Sequence, residues 1–294
     1  MICAFGSANA AIVCRAANNT GTLFSDKGAD KEKLKQEQLA LINLLREKCH
    51  LDVLELPSDE SSPNGCFVED IAIVCNGKVF LTFPLKSDSP RKSEIMSLKK
   101  AFEDYNIEIE CMVYEQNSLE KQLSDGSKPM LDGGDVLYTG YEFFIATSAF
   151  TNIEGAKQFV NKMADVSVTL INVDPNSKSR LKEYVSMVME GVIVCSNSPQ
   201  SQKIIKQIVN NSSFDYKIVT VSADVYSNCL FFNNTIIHCD NQDNDKVADQ
   251  FAELHNCVKR LPLSASEYLR LNVPFSRRAL IFQASNSHSY SRSR

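Results

Sequence analysis

Apolar positions along the chain switch between helical and strand spacing in a repeating order. Residues 32–48, EKLKQEQLALINLLREK, place apolar side chains at helical intervals with Lys and Glu between them, which predicts an amphipathic surface helix. LDVLEL (51–56) alternates in steps of two and predicts a strand. After the turn-rich PSDESSPNG (57–65), CFVEDIAIVCNGKVFLTF (66–83) predicts a hairpin of two apolar strands joined at Asn76-Gly77. Residues 92–105 predict a helix and IEIECMVY (107–114) a strand. The order then returns. GGDVLYTGYEFFIAT predicts a hairpin turning near Thr139-Gly140, followed by helix IEGAKQFVNKMAD and strand VSVTLINV. GVIVCS (191–196) predicts a buried strand, PQSQKIIKQIVNN a helix and DYKIVTVS a strand. SNCLFFNNTIIHCD (227–240) predicts a hairpin around Asn233-Asn234, with a helix at 245–255 and strands VKRLPL and RALIFQ (278–283) to follow.

A unit of hairpin, helix and strand thus recurs about every 45 to 65 residues. One unit is too small to bury its own sheet, so four or five of them must stack or close radially. The expected organisation is one α/β domain over 1–283, with AAIVC as a buried first strand. The tail ASNSHSYSRSR (284–294) has almost no apolar residue and is expected to be disordered.

Composition narrows the function. The 294-residue chain is 44% hydrophobic with a net charge of −5, and no polybasic run occurs, which counts against nucleic acid or an anionic membrane as partner. No apolar run reaches membrane-spanning length. The N-terminus lacks the positive charge that opens a signal peptide, the first being Arg15. Ten cysteines are scattered without a CxxC pair and without a metal-like cluster among the four histidines, so reduced thiols in a cytoplasmic protein, with no metal and no cofactor, are expected.

Two acidic sites open apolar strands in neighbouring units: Glu69 and Asp70 precede IAIVC, and Asp132 and Asp135 flank the Gly-Gly of LDGGDVLYTG. Asp before Gly-Gly is by itself a good turn residue. Two such sites at equivalent strand ends converge in a radial repeat, and carboxylates brought together call for a cation.

ELPSDESSPNGCFVEDIAIVC, LDGGDVLYTGYEFF, TNIEGA, SNCLFFN and LPLSASEYL, in this order, resemble the dimethylarginine dimethylaminohydrolases from about Phe5 to Phe282. The resemblance implies a five-bladed α/β-propeller with pseudo-fivefold ββαβ repeats, the fold of the guanidino-group-modifying enzymes. It also implies hydrolysis of methylated arginine to citrulline and an alkylamine, a reaction tied to arginine metabolism and nitric oxide regulation. In that chemistry a Cys attacks the guanidinium carbon, a His moves protons and carboxylates hold the guanidinium. Glu69 and Asp70 match the acids that contact the substrate, and Asp132 matches the carboxylate that belongs with the His. Arg91 matches a substrate-binding Arg, and Asn64 falls where the family carries a substrate-contacting Asp.

The reactive half departs from that pattern. SRLKEYVSM places Arg180 in the His slot, and FSRRAL places Arg277 in the Cys slot with Ser276 before it. SAFTN places Phe150 where an Arg holds the substrate carboxylate. Arginine stays protonated, so it is neither a base nor a nucleophile, and Ser276 has no local His to activate it. Three readings follow: an impaired homologue whose own arginines fill the acidic pocket against Asp70, Glu69 or Asp132; an active hydrolase that works through other residues; or a regulatory protein that binds a ligand or partner. Arginine derivatives are the expected small molecules if the pocket is open.

Overall fold

Fifteen strands in five three-stranded sheets make up the computed structural model, which describes residues 5–20, 28–75, 77–82, 91–111, 129–163, 166–240 and 258–284. One blade joins β1 (Ala10–Cys14), parallel β2 (Asp52–Leu56) and, antiparallel to β1, the C-terminal β15 (Ala279–Phe282). The next blades run in chain order: β3 (Ala72–Cys75), β4 (Lys78–Leu81), β5 (Glu108–Cys111); then β6 (Val136–Tyr138), β7 (Glu142–Thr147), β8 (Ser167–Asn172). The last two are β9 (Val185–Met189), β10 (Val192–Ser196), β11 (Lys217–Val221), and β12 (Leu230–Phe232), β13 (Thr235–Cys239), β14 (Lys259–Leu263). In every blade the first pair is antiparallel and the second parallel. A tight turn can join the antiparallel pair, whereas the parallel strand needs a crossover. Helices α1 (Lys31–Asn43), α2 (Arg91–Asp104), α3 (Ile153–Lys162) and α4 (Pro199–Asn211) supply four crossovers. The result is a five-bladed α/β-propeller.

The hairpin turns carry the backbone the sequence calls for. Asn233 and Asn234 both have positive φ (46° and 53°), a conformation Asn tolerates and the two-residue hairpin requires. β15 closes the circle by completing the blade that β1 begins, and Asn9 clamps the seam by bonding both the N–H (2.7 Å) and the carbonyl (3.0 Å) of Ala284.

The core lies between blades and under the helices. Phe159 of α3 packs on Phe80 and Phe143, with ring centroids 4.9 and 5.1 Å apart. Ile204, Ile205 and Ile208 of α4 bury against Phe144 and Ile193. Each such side chain contributes roughly 1.5–3 kcal/mol of transfer free energy.

Three differences from the sequence reading stand out. VSMVM forms β9, the antiparallel partner of β10, where the sequence suggested a lone strand at 191–196. The hairpin strand expected from residue 66 begins only at Ala72, because Val68–Ile71 is a helical turn. The helix expected to run unbroken to 48 gives way to a π-helical turn over Leu44–Lys48. The helix expected at 245–255, Asn76 of the first hairpin turn and the tail beyond Ala284 lie outside the described residues.

Candidate functional site

Each inner strand is entered through one short helical turn: Val68–Ile71 before β3, Gly133–Asp135 before β6, Leu181–Glu183 before β9, Asp224–Ser227 before β12 and Phe275–Arg278 before β15. Neighbouring turns touch round the propeller axis. The ring closes where Asn228 donates its Nδ2 to Ser276 Oγ and accepts the Ser276 N–H on Oδ1, both at 3.1 Å. The sequence-expected residues Glu69, Asp70, Asp132, Arg180 and Arg277 all belong to this ring or cap it.

Local chemistry sets each turn. Asp132 sits extended at the start of its turn, with Oδ1 accepting from the Gly134 N–H at 2.9 Å. The Gly-Gly pair is a packing requirement. A Cβ on Gly133 would lie 1.9 Å from the Glu69 carbonyl oxygen, and one on Gly134 2.5 Å from Arg180 Cδ. The FVED and LDGG turns therefore meet backbone against backbone.

Arg277 reaches Asp70 with both arms of its guanidinium, Nε to Oδ1 and Nη2 to Oδ2, each at 2.7 Å. Its flat face lies 4.5 Å from the centre of the Phe67 ring. Arg91 donates to the same carboxylate from Nη1 (3.0 Å) and from Nη2 to the carbonyls of Phe67 and Asn64 (2.9 and 3.2 Å), with Nε on Glu94 at 3.0 Å. Asn64 thus serves through its backbone. Arg180 places Nε 2.9 Å from Asp132 Oδ2 and Nη2 3.6 Å from Asp70. The Arg180–Asp132 contact is off hydrogen-bond alignment, so charge attraction carries it. Phe150 lies flat against Arg180, 3.8 Å from its guanidinium carbon. Glu69 takes no part in this cluster and instead accepts from Lys182 Nζ at 2.6 Å.

Burial makes the charges matter. Asp70, Asp132, Arg180 and Arg277 are all buried. Burial alone would raise Asp70, but Arg277, then Arg180 and Arg91, overrule it and hold the carboxyl well below its usual range. For Asp132 burial wins: it is pushed up to about 7, against Arg180 and with help from nearby Asp70 and Asp135. Asp135 rises to about 6 through burial, opposed by hydroxyl bonds from Ser148 (2.6 Å) and Thr151 (2.7 Å). Burial disfavours the Arg180 cation, but Asp132, Asp70 and Glu183 outweigh it and hold the guanidinium firmly protonated.

No nucleophile–base pair accompanies these acids among the described residues. Ser276 Oγ is bonded to the Asn228 amide. Burial pushes the Cys66 thiol to about 11 and those of Cys14, Cys75 and Cys229 to about 12, which leaves them unreactive. His50 and His238, the described histidines, lie outside the ring, and His238 Nδ1 sits 2.9 Å from the Cys239 carbonyl. No cluster of His, Cys, Asp or Glu with metal-binding geometry occurs among the described residues, nor is any of their helices long and apolar enough to cross a membrane.

Known proteins share sequence and fold with this chain. Bovine DDAH2 is 29% identical over 216 residues, 73% of this chain and 70% of that protein. Human DDAH2 is 30% identical over 203 residues, 69% of this chain and 65% of that protein, just under two thirds of its length. A solved dimethylarginine dimethylaminohydrolase from Pseudomonas aeruginosa, a mutant complexed with citrulline, superposes with a TM-score of 0.72 over 94% of this chain and 100% of its own, at 19% identity. In sequence and in fold alike, the chain is similar to the dimethylarginine dimethylaminohydrolases. No protein-family model matches it. At 19% identity the solved enzyme supports the fold alone, so the site has to be read from this chain's own residues.

The site carries contacts that the sequence left unnamed. Lys182 neutralises Glu69 from two residues past Arg180. Phe67 underlies Arg277. Asp135 ties two turns together by accepting the Leu181 N–H on Oδ1 at 3.0 Å. Lys182 stands in the same SRLKEYVSM stretch as Arg180, and Phe67 directly precedes the VED acids. That proximity was the one available signal. Their partners come from other blades and become neighbours only when the propeller closes.

Proposed function

We propose that this chain is a non-catalytic member of the dimethylarginine dimethylaminohydrolase family that supplies the guanidinium of its own acidic pocket. The observation that carries this reading is the bidentate Arg277–Asp70 pair, two 2.7 Å bonds to an acid that the family resemblance assigns to the substrate guanidinium. Arg180 sets its guanidinium against Asp132 through a single 2.9 Å charge contact, and Phe150 covers Arg180. The three positions at which the family's Cys, His and carboxylate-binding Arg are replaced thus form linked contacts. Two guanidiniums neutralise acids that would otherwise be buried with less compensation. They also occupy the volume next to Asp70 and Asp132, so methylated arginines are excluded from it. Seven described cysteines are free thiols, in keeping with a reducing, cytoplasmic setting.

The direct test is citrulline release from asymmetric dimethylarginine by the purified chain. No release above a blank is expected, together with no heat of binding in calorimetry. Turnover that disappears in Asp132→Ala would overturn the reading and establish an active hydrolase.

A further inference from the structure

The two arginines of the acidic pocket are held unequally. Arg277 grips Asp70 through two aligned bonds of 2.7 Å. Arg180 makes no such bond: its Nε lies 2.9 Å from Asp132 Oδ2, yet neither atom has a hydrogen-bond partner. Two further carboxylates stand nearly as close, Asp70 at 3.6 Å from Nη2 and Glu183 at 3.7 Å from Nη1. Asp70 already accepts two bonds from Arg277 and one from Arg91. The Glu183 carboxylate has only the Arg180 charge contact among the described residues. It also faces free space. With Ser179, Tyr184, Asp224, Leu269 and Val273 it lines a cavity of about 360 Å³, larger than a guanidinium, in a wall that contains no Lys or Arg.

Only the end of Arg180 has to move for it to change partner. Its Cδ is wedged against Gly134, where an added Cβ would lie 2.5 Å away. Beyond Cδ, the guanidinium is held by the flat contact with Phe150 at 3.8 Å and by the charge of Asp132. Rotation about Cγ–Cδ and Cδ–Nε carries it across while the stem stays in place. Charge on Asp132 decides between the two seats. The charged groups that face Asp132 are Asp135 from its own turn, Asp70 from the FVED turn, Arg180 from the turn before β9 and Arg277 from the turn before β15. Glu69 and Lys182, on neighbouring turns, are paired with each other. Burial, Asp70 and Asp135 favour the protonated acid, the arginines oppose it, and Asp132 is pushed up to about 7. Once neutral, Asp132 no longer attracts Arg180 by charge, whereas Glu183 still offers a carboxylate without a donor.

We infer that Arg180 is a proton-operated latch: it sits on Asp132 while that acid is a carboxylate, turns to Glu183 when Asp132 is protonated, and so opens the Asp132 half of the pocket while Arg277 keeps Asp70 covered. The proton comes from solvent and stays on Asp132, and Arg180 remains a cation in both seats. Such a latch rests on the reading that the chain's own arginines fill the acidic pocket, and it is indifferent to turnover. It divides the plug into a fixed part, Arg277 with its fork on Asp70, and a movable part, Arg180 with a single charge contact.

The test follows the nuclear Overhauser contacts of the Arg180 Nε–H in the full chain at about pH 8 and about pH 5.5, on either side of the Asp132 value, together with the Asp132 carboxyl carbon shift. At the higher pH the Nε–H should contact the Phe150 ring and not the cavity wall. At the lower pH the Phe150 contact should weaken by about threefold or more, and contacts to the Leu269 or Val273 methyls should appear, with the midpoint of the Asp132 carbon. Asp132→Asn should show the turned-out contacts at both pH values, and Glu183→Gln should keep the Phe150 contact at the lower one. Phe150 contacts that stay constant while Asp132 titrates, an Asp132 carbon that does not titrate in this range, or an undiminished swing in Glu183→Gln would each overturn the latch. The first two of these outcomes are read on the native chain and need no variant to fold. Citrulline release by the native chain would instead overturn the non-catalytic reading and leave the latch standing.

Discussion

Arg277 and Asp70 meet through two parallel hydrogen bonds of 2.7 Å, from positions 207 residues apart in the chain. The arrangement copies what an arginine-recognising site does for its ligand, with the ligand covalently attached. A fork-to-fork contact fixes orientation as well as charge. That distinguishes the residue from a solvated arginine that merely drifted into place.

Removing this guanidinium should open a site for a free one. In Arg277→Ala, Asp70 keeps Arg91 at 3.0 Å and Arg180 at 3.6 Å, so it is not stranded. The loss should fall at the low end, about 3 kcal/mol, of the range for breaking a buried ion pair. Millimolar guanidinium chloride, far below denaturing concentration, should then raise the melting temperature of the variant and leave the native protein unmoved. With a Kd on the order of 1 mM, 10 mM ligand returns roughly 1.4 kcal/mol. Equal responses of the two proteins would remove the plug from consideration.

Phe150 and Arg180 should be energetically coupled. The half-buried ring lies 3.8 Å from the buried guanidinium carbon, where such a stack is worth about 1–2 kcal/mol. Phe150→Ala and Arg180→Ala should each destabilise the protein to urea, and the double variant should cost less than the two singles together, by about 0.5–2 kcal/mol. Strict additivity would mean that the stack does not hold Arg180 in place.

Much of the architecture is written locally. Asn233-Asn234 and Gly140 mark hairpins because only certain residues take positive φ, and α3 and α4 are visible from helical spacing. The carboxylates of the site are legible for the same reason, since FVED and LDGGD are short, contiguous turns. What stays hidden depends on closure. β9 escapes notice because Ser186, which turns its hydroxyl inward to the Ser227 carbonyl at 2.7 Å, breaks the apolar run. The Lys182–Glu69 pair spans 113 residues, and no local pattern encodes it. Arg277 and Arg278 look alike in SRRA, yet they turn to opposite partners. Arg278 donates Nε to Gln38 Oε1 at 3.0 Å and Nη2 to the Glu37 carbonyl at 2.6 Å, and so holds α1 rather than the site.

The two glycines of LDGGD should respond differently to alanine. At Gly134 the new Cβ meets Arg180 Cδ at 2.5 Å, a side-chain obstacle. At Gly133 it meets the Glu69 carbonyl oxygen at 1.9 Å, which is backbone. Gly134→Ala should cost about 1–3 kcal/mol by overpacking and much less in an Arg180→Ala background. Gly133→Ala should be at least as damaging and gain nothing from that background. Chemical denaturation of the two single glycine variants, of Arg180→Ala and of the two double variants decides this. Equal relief at both glycines would contradict the contact between the two turns.

Asp132 should make the protein lose stability as the solution is brought from acid to neutral pH. Its ordinary value is 3.8, and burial lifts it to about 7 in the folded state. The folded chain therefore binds this proton more tightly than the unfolded chain does. The contribution is complete below pH ~4 and disappears as pH climbs to about 7, at a slope approaching 1.4 kcal/mol per pH unit in between. Asp135 acts in the same sense up to about 6. Asp70 acts oppositely, since its depressed carboxyl contributes stability that is lost on acidification. His238 also opposes Asp132, because burial lowers it and deprotonation favours the folded state. Asp132→Asn keeps the shape and removes this one titration. The stability of the native protein relative to that variant should fall by about 1.4 kcal/mol for each unit between pH 4.5 and 6.5, and level off above 7. Urea titrations of both proteins across this range measure the difference directly. A constant difference would place Asp132 as a fixed carboxylate, fully neutralised by Arg180.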